Sequence, residues 1–152
     1  MVLGIHGECM RIFRTLFFIF SLTFVSGVFA DSGRDLVERG LAAYSKEGAR
    51  AAIEVWIKGS GLEGSKDALS QANVLRQVED FYGNYEGHDI IDEHEISPRS
   101  SMISLAINYN KGVLFARFQI YKTSNSSWVA TEFKFATEAV QLFPNSVVFG
   151  DT

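Results

Sequence analysis

The hydrophobic period of this chain changes once, from 3.6 residues to 2, across Gly83–Gly87. That single change predicts helices first and strands second. From Arg34 to Tyr44, Leu36, Val37, Leu41 and Tyr44 recur at helical spacing, with Gly40 a weak point. Ser45 is expected to cap a second helix, because its hydroxyl can accept a free first-turn amide. Ala49, Ala52, Ile53, Trp56 and Ile57 form that helix's apolar stripe, and Gly59-Ser60-Gly61 ends it. A third helix is expected over about Asp67–Tyr82, burying Leu69, Ala72, Leu75, Val78 and Tyr82.

Beyond Gly87 the residues alternate. His88–Ile96 reads as an acidic first strand, whose charge discourages edge-to-edge pairing. Met102–Asn110, Val113–Lys122 and Trp128–Thr137 read as three more. Lys111-Gly112 and Ser124–Ser127 are short enough for hairpin turns. The expected fold is α+β: three N-terminal helices packed on a four-stranded antiparallel meander.

The first thirty residues stand apart from this pattern. Arg11 and Arg14 precede a charge-free run of 16 residues, Thr15–Ala30, that closes on Val28-Phe29-Ala30. A basic start, an apolar run and a small-residue end make a secretory signal, expected to be cleaved after Ala30. The run falls short of the roughly 20 residues that span a bilayer, so no stable anchor is expected after cleavage. Met10, just before the arginines, is the alternative start to Met1. The exported domain, 31–152, would lose Arg11, Arg14 and Glu8, taking the chain's 14 basic and 18 acidic residues to 12 and 17. It also loses Cys9, the one cysteine, so disulfides and thiol chemistry are not expected. A pI near 5.3 argues against a nucleic-acid partner. A secreted or periplasmic location follows.

Ala51-Ala52-Ile53-Glu54-Val55-Trp56, the helix end Phe81-Tyr82-Gly83 and the meander Leu114–Tyr121 to Trp128-Val129 resemble small exported bacterial proteins. Their fold is similar to the cystatin-like, nuclear transport factor two-like superfamily, and the likeness covers nearly all of 34–144. The resemblance implies a curved sheet wrapped around helices into a cone with a pocket, and dimers formed through the sheet's outer face. That superfamily holds isomerases, dehydratases, transport factors and proteins without known activity, so the fold does not fix the function.

Candidate chemistry is sparse. His88 and His94 are about 20 Å apart along a strand at about 3.3 Å per residue, too far for one zinc. Asp92 and His94 share a face but lack a third ligand, so no metal or other cofactor is expected. No G-x-S-x-G elbow surrounds Ser60, Ser65 or Ser70, and no catalytic residue is assigned. A pocket between helices and sheet, if present, would draw on Trp56, Asp80, Tyr82, Tyr85 and Tyr109, and would take a small apolar ligand.

The surface expected to matter is the outer sheet face. A turn near Ser124-Asn125 would set Tyr121 opposite Trp128, Gln119 opposite Ala130 and Arg117 opposite Glu132. A turn at Lys111-Gly112 would set Asn108 beside Phe115, Ala106 beside Arg117 and Ser104 beside Gln119. Phe115, Arg117, Gln119, Tyr121, Trp128 and Glu132 would then form an aromatic-plus-arginine patch, the composition enriched at protein interfaces. The expected function is an exported binding or interaction module without catalysis, its partner a second copy or another envelope or extracellular protein. The alternative is a small-molecule enzyme, isomerase- or dehydratase-like, or a ligand carrier using the inner pocket.

Overall fold

The computed structural model describes residues 32–150, so the expected signal and its cleavage point lie outside the described residues. Three helices precede the sheet: α1 (Gly33–Glu47), α2 (Ala49–Ile57) and α3 (Lys66–Tyr82). Strands β1 (Tyr85–Ser97), β2 (Ser100–Tyr109), β3 (Gly112–Lys122) and β4 (Trp128–Ala136) form an antiparallel sheet in the order β1-β2-β3-β4. The class is α+β, as the change of period predicts. A 3₁₀ turn at Ala139–Gln141 and a short helix α4 (Asn145–Phe149) follow the sheet, and neither is anticipated by the sequence pattern. Among the described residues no helix is long and apolar enough to cross a membrane.

The helix boundaries follow local chemistry. Ser32 and Asp35 cap α1 reciprocally: Asp35 N–H donates to Ser32 Oγ at 3.1 Å, and Ser32 N–H to Asp35 Oδ2 at 2.7 Å. Those bonds hold the Asp35 carboxyl below its ordinary range. Ser45 caps nothing, because α1 runs through it to Glu47. Gly48, with φ of +90°, makes the break instead and donates its N–H to Tyr44 O. Ser65 caps α3, accepting from Ala68 N–H at 3.3 Å.

The core lies between the helices and one sheet face. Ile103, Leu105, Ile107, Leu114, Ala116, Phe118 and Ile120 are all at most 1% exposed there. They meet Leu36, Val37, Leu41, Ala52, Ile53, Trp56 and Leu75 from the helices. Trp56 is the hub. Its indole N–H donates to Val37 O at 3.1 Å, and its ring sits 4.7 Å from Phe118, centre to centre. Gly40 marks where α1 passes the same indole: a Cβ there would fall 1.9 Å from Trp56 Nε1. The glycine that weakens α1 on propensity therefore admits the largest core side chain.

Both hairpins depart from the expected registers. The β2–β3 loop is Asn110-Lys111, with Tyr109 paired to Gly112, so Ala106 faces Phe115, Ser104 faces Arg117 and Met102 faces Gln119. This slip of two keeps every side chain on its expected face. Its cause is tertiary. Lys111 N–H donates to Tyr82 O at 2.9 Å, and Tyr82 lies so close that a Cβ on Gly112 would meet its ring at 2.5 Å. Gly112 serves the packing of Tyr82 rather than the turn.

In β3–β4 the slip is odd. Lys122 pairs with Trp128, Tyr121 with Val129 and Ile120 with Ala130. Ser126 at φ 65° adds the extra loop residue. Trp128 and Ala130 thereby turn to the helix side, opposite to expectation. A bulge at Thr131 then restores the phase, so that Glu132 faces Gln119, Phe133 faces Phe118 and Lys134 faces Arg117.

Candidate functional site

Three regions compete for the role of a site, and of the expected pocket residues only Tyr85 and Tyr109 meet in one of them. Trp56 is fully buried within the core. Asp80 is exposed on α3, and Tyr82 packs over Gly112. Tyr85 and Tyr109 do come together, but around Tyr44. The three ring centres lie 5.2 to 6.5 Å apart. Tyr44 Oη donates to Glu79 at 3.3 Å, which leaves its oxygen to accept from Tyr109 Oη at 3.1 Å. Tyr85 Oη and His88 Nδ1 share a hydrogen bond at 3.0 Å, with His88 turned to the inner face opposite Ile107.

Burial, first, pushes the pKa of all three tyrosines up. Tyr109 is pushed up to about 12, and Tyr85 rises for the same reason. Tyr44 rises furthest, with the Tyr109 hydroxyl and the Glu79 charge adding to burial. These hydroxyls therefore keep their protons, with Tyr109 donating to Tyr44 and Tyr44 to Glu79. The carboxylate that completes the chain is Glu79, not its neighbour Asp80. The spacing Ala72, Leu75, Glu79, Tyr82 marks it, since Glu79 lies four residues beyond a buried leucine.

The outer sheet face is partly covered by the chain's own C-terminal segment. Leu142 and Phe143 are buried there with Ala136. The Phe143 ring meets Phe115 edge-on at 5.7 Å, and Arg117 Nη1 donates to Leu142 O at 3.0 Å. Arg117 thus holds this strap rather than pairing with Glu132, which sits 2.9 Å from Lys134 Nζ. Arg99 stacks over Tyr121 at 4.8 Å. Of the six expected interface residues, Phe115, Arg117, Gln119, Tyr121 and Glu132 occupy outward register positions. Trp128 faces the helix side.

The third region is a groove of about 960 Å³ between α1–α2 and the β3–β4 hairpin. Its walls include Leu36, Val55, Trp128 and Val129, with Ala42 and Ala43 between them. Arg39, Lys46 and Lys58 stand along it against a single carboxylate, Glu47. A smaller groove, of about 380 Å³, runs beside Phe81, which is 77% exposed. Among the described residues no three His, Cys, Asp or Glu side chains gather as a metal site would need. Comparison with known protein families, with curated proteins and with solved structures finds no match to this chain.

Proposed function

We propose that this chain is an exported, non-catalytic binding module that meets its partners on its outside. One observation carries the reading: the space between helices and sheet is filled. Trp56, Phe118, Phe133 and Phe135 pack with ring centres 4.7 to 6.2 Å apart. Among the described residues every buried side-chain nitrogen and oxygen has a hydrogen-bond partner. A substrate site needs converging polar groups left open to a ligand, and both grooves open outward instead. Export rests on the arginine-flanked run ending at Ala30. The helix-then-meander order agrees with the nuclear transport factor two-like resemblance, and a second copy docking on the sheet's outer face is part of this reading. With Phe115 and Arg117 engaged by the strap, that dimer would use Met102, Ala106, Gln119, Tyr121 and Glu132.

The competing enzyme or carrier reading has the Tyr109–Tyr44–Glu79 chain in its favour, since buried phenols can donate to a developing oxyanion. Aromatic NMR spectra under xenon pressure separate the two. A binding module with a filled interior leaves the Phe118, Phe133 and Tyr109 resonances unmoved, whereas saturable shifts there would establish an inner cavity and overturn the proposal. Light scattering on the 31–152 chain tests the dimer: a monomer at high micromolar concentration removes the second copy from the reading.

A further inference from the structure

The groove between α1–α2 and the β3–β4 hairpin combines two features that select one ligand chemistry. The first is a local excess of cationic side chains. The chain is acidic, with a formal charge of −4, yet Arg39, Lys46 and Lys58 line this groove with Glu47 as the one lining carboxylate, while Asp35 acts on Arg39 and Glu63 accepts from the lining Gly59 N–H. A fourth cation is near: Lys122 Nζ lies 5.8 Å from the Trp128 ring centre. The second feature is an apolar floor kept open by small side chains. Arg39, Ala42, Ala43 and Lys46 recur at i, i+3, i+4 and i+7, so they share one face of α1. The two cations are separated by about 10 Å along the axis at about 1.5 Å per residue. Between them only methyl groups project, and Val55, Leu36 and Trp128 supply the walls. The volume sits at the upper end of the roughly 300–1,000 Å³ of small-molecule sites.

We propose that this groove binds a free, single-chain amphiphile with an anionic head group, of the fatty-acid type. The aliphatic chain lies over Ala42, Ala43 and Val55 against Trp128, and the carboxylate meets the ammonium and guanidinium groups at the rim. The polar loop Thr123–Ser127 covers the far side with hydroxyls and an amide. A bilayer surface fits less well, because the groove lies between α1–α2 and the β3–β4 hairpin and an acyl chain must leave the membrane to enter. The inference rests on the binding-module reading and names the ligand class for one of its outer surfaces.

The two tryptophans make the test internal. Trp56 is fully buried in the core, while Trp128 is half-buried on the groove. Decanoate titrated into the ¹⁵N-labelled 31–152 chain should shift the Trp128 indole signal saturably and leave that of Trp56 in place. Decanol should bind at least tenfold more weakly. The Lys46→Glu/Lys58→Glu variant changes two exposed side chains, so it should stay folded. It should lose tenfold or more in decanoate affinity while binding decanol within threefold of the parent. Ala43→Leu, which fills the floor, should abolish both.

A Trp128 signal that never saturates with decanoate overturns the proposal, as does an affinity indifferent to the charge reversal. Binding seen only with vesicles rich in anionic lipid overturns it in favour of a membrane surface. Shifts at Phe118 or Tyr109 would instead locate the ligand inside, which sinks the binding-module reading as well. Silence at Trp128 with the interior unmoved sinks this inference alone.

Discussion

The two faces of the sheet are built from the same strands and live under different regimes. On the inner face Ile103, Leu105, Ile107, Leu114, Phe118 and Ile120 lie under three helices and see almost no solvent. On the outer face their neighbours Met102, Ala106, Phe115 and Arg117 remain half-exposed, and only one corner is covered, by residues 137–150. The inner layer has many mutually supporting contacts and must be lost all at once. The strap is held by one ring pair, one guanidinium bond and a few buried apolar groups. Local opening free energies scale with such content, so the two faces should separate in stability.

The largest effect should come from the hub of the inner face. Trp56→Ala removes a fully buried ring together with the indole N–H that donates to the Val37 carbonyl. A loss of about 3–5 kcal/mol is expected from the range for such core truncations. Urea unfolding measures it directly, and a loss under about 1 kcal/mol would mean that the interior is not packed around this residue.

Next comes alkaline pH. Tyrosines in the unfolded chain ionise near pH 10, whereas Tyr109 holds its proton to about 12 and Tyr44 and Tyr85 also titrate late. The unfolded state therefore releases protons first as pH rises. The contribution is complete below pH 10 and is lost between 10 and the folded values. The slope is up to about 1.4 kcal/mol per pH unit for each such tyrosine. Unfolding midpoints at pH 9, 10 and 11 should fall for the parent and fall less for Tyr109→Phe. Identical pH dependence in the two would show that Tyr109 titrates normally.

What was legible in the sequence also divides by face. Alternation over Met102–Asn110 and Val113–Lys122 marked the buried side of β2 and β3, because burial acts on each residue separately and leaves a period behind. Register depends on loop geometry and tertiary anchors, which leave none. Gly112 looks like a turn glycine until Tyr82 is seen lying on it. The bulge at Thr131 matters most: an odd loop and a bulge cancel, so Phe133 and Phe135 point inward as alternation predicts, while Trp128, before the bulge, points inward against it. Ser45 carried a capping residue's chemistry at a position that Gly48 made irrelevant. Tyr44 was legible as a core residue, but its bond to Glu79 joins residues 35 apart in sequence, and no local pattern records that. The strap is silent because its two buried residues, Leu142 and Phe143, are adjacent, and its other apolar residues follow no period.

The strap provides the third and smaller effect. Phe143→Ala should cost about 1–2 kcal/mol, toward the middle of ordinary point-mutant losses, because the segment can detach while the rest stays folded. Hydrogen exchange separates this from global destabilisation. Amides of 139–148 should exchange faster while those of Ile103, Leu105 and Ile107 keep their protection. Arg117→Ala should do the same through loss of the Leu142 carbonyl bond. Equal acceleration on both faces would mean that strap and core form one cooperative unit, and the contrast drawn between them would fail.

The smallest effect sharpens the register itself. The sequence pattern places Glu132 opposite Arg117, whereas the folded chain sets it beside Lys134, with 2.9 Å between charged atoms. The two side chains are 42% and 53% exposed, so water screens the pair and its expected coupling is only about 0.2–1 kcal/mol. A double-mutant cycle on Glu132→Gln and Lys134→Met should return a coupling in that range, shrinking at high salt. The matching cycle on Glu132 and Arg117 should return about zero within the roughly 0.3–0.5 kcal/mol additivity of uncoupled sites. Arg117 also anchors the strap, so its single variant will destabilise, but that loss should be the same whether or not Glu132 is present. If the larger coupling appears between Glu132 and Arg117, both the bulge at Thr131 and the Lys122–Trp128 loop register are absent in solution. Glu132 and Arg117 would then stand opposite each other, as uninterrupted alternation predicts.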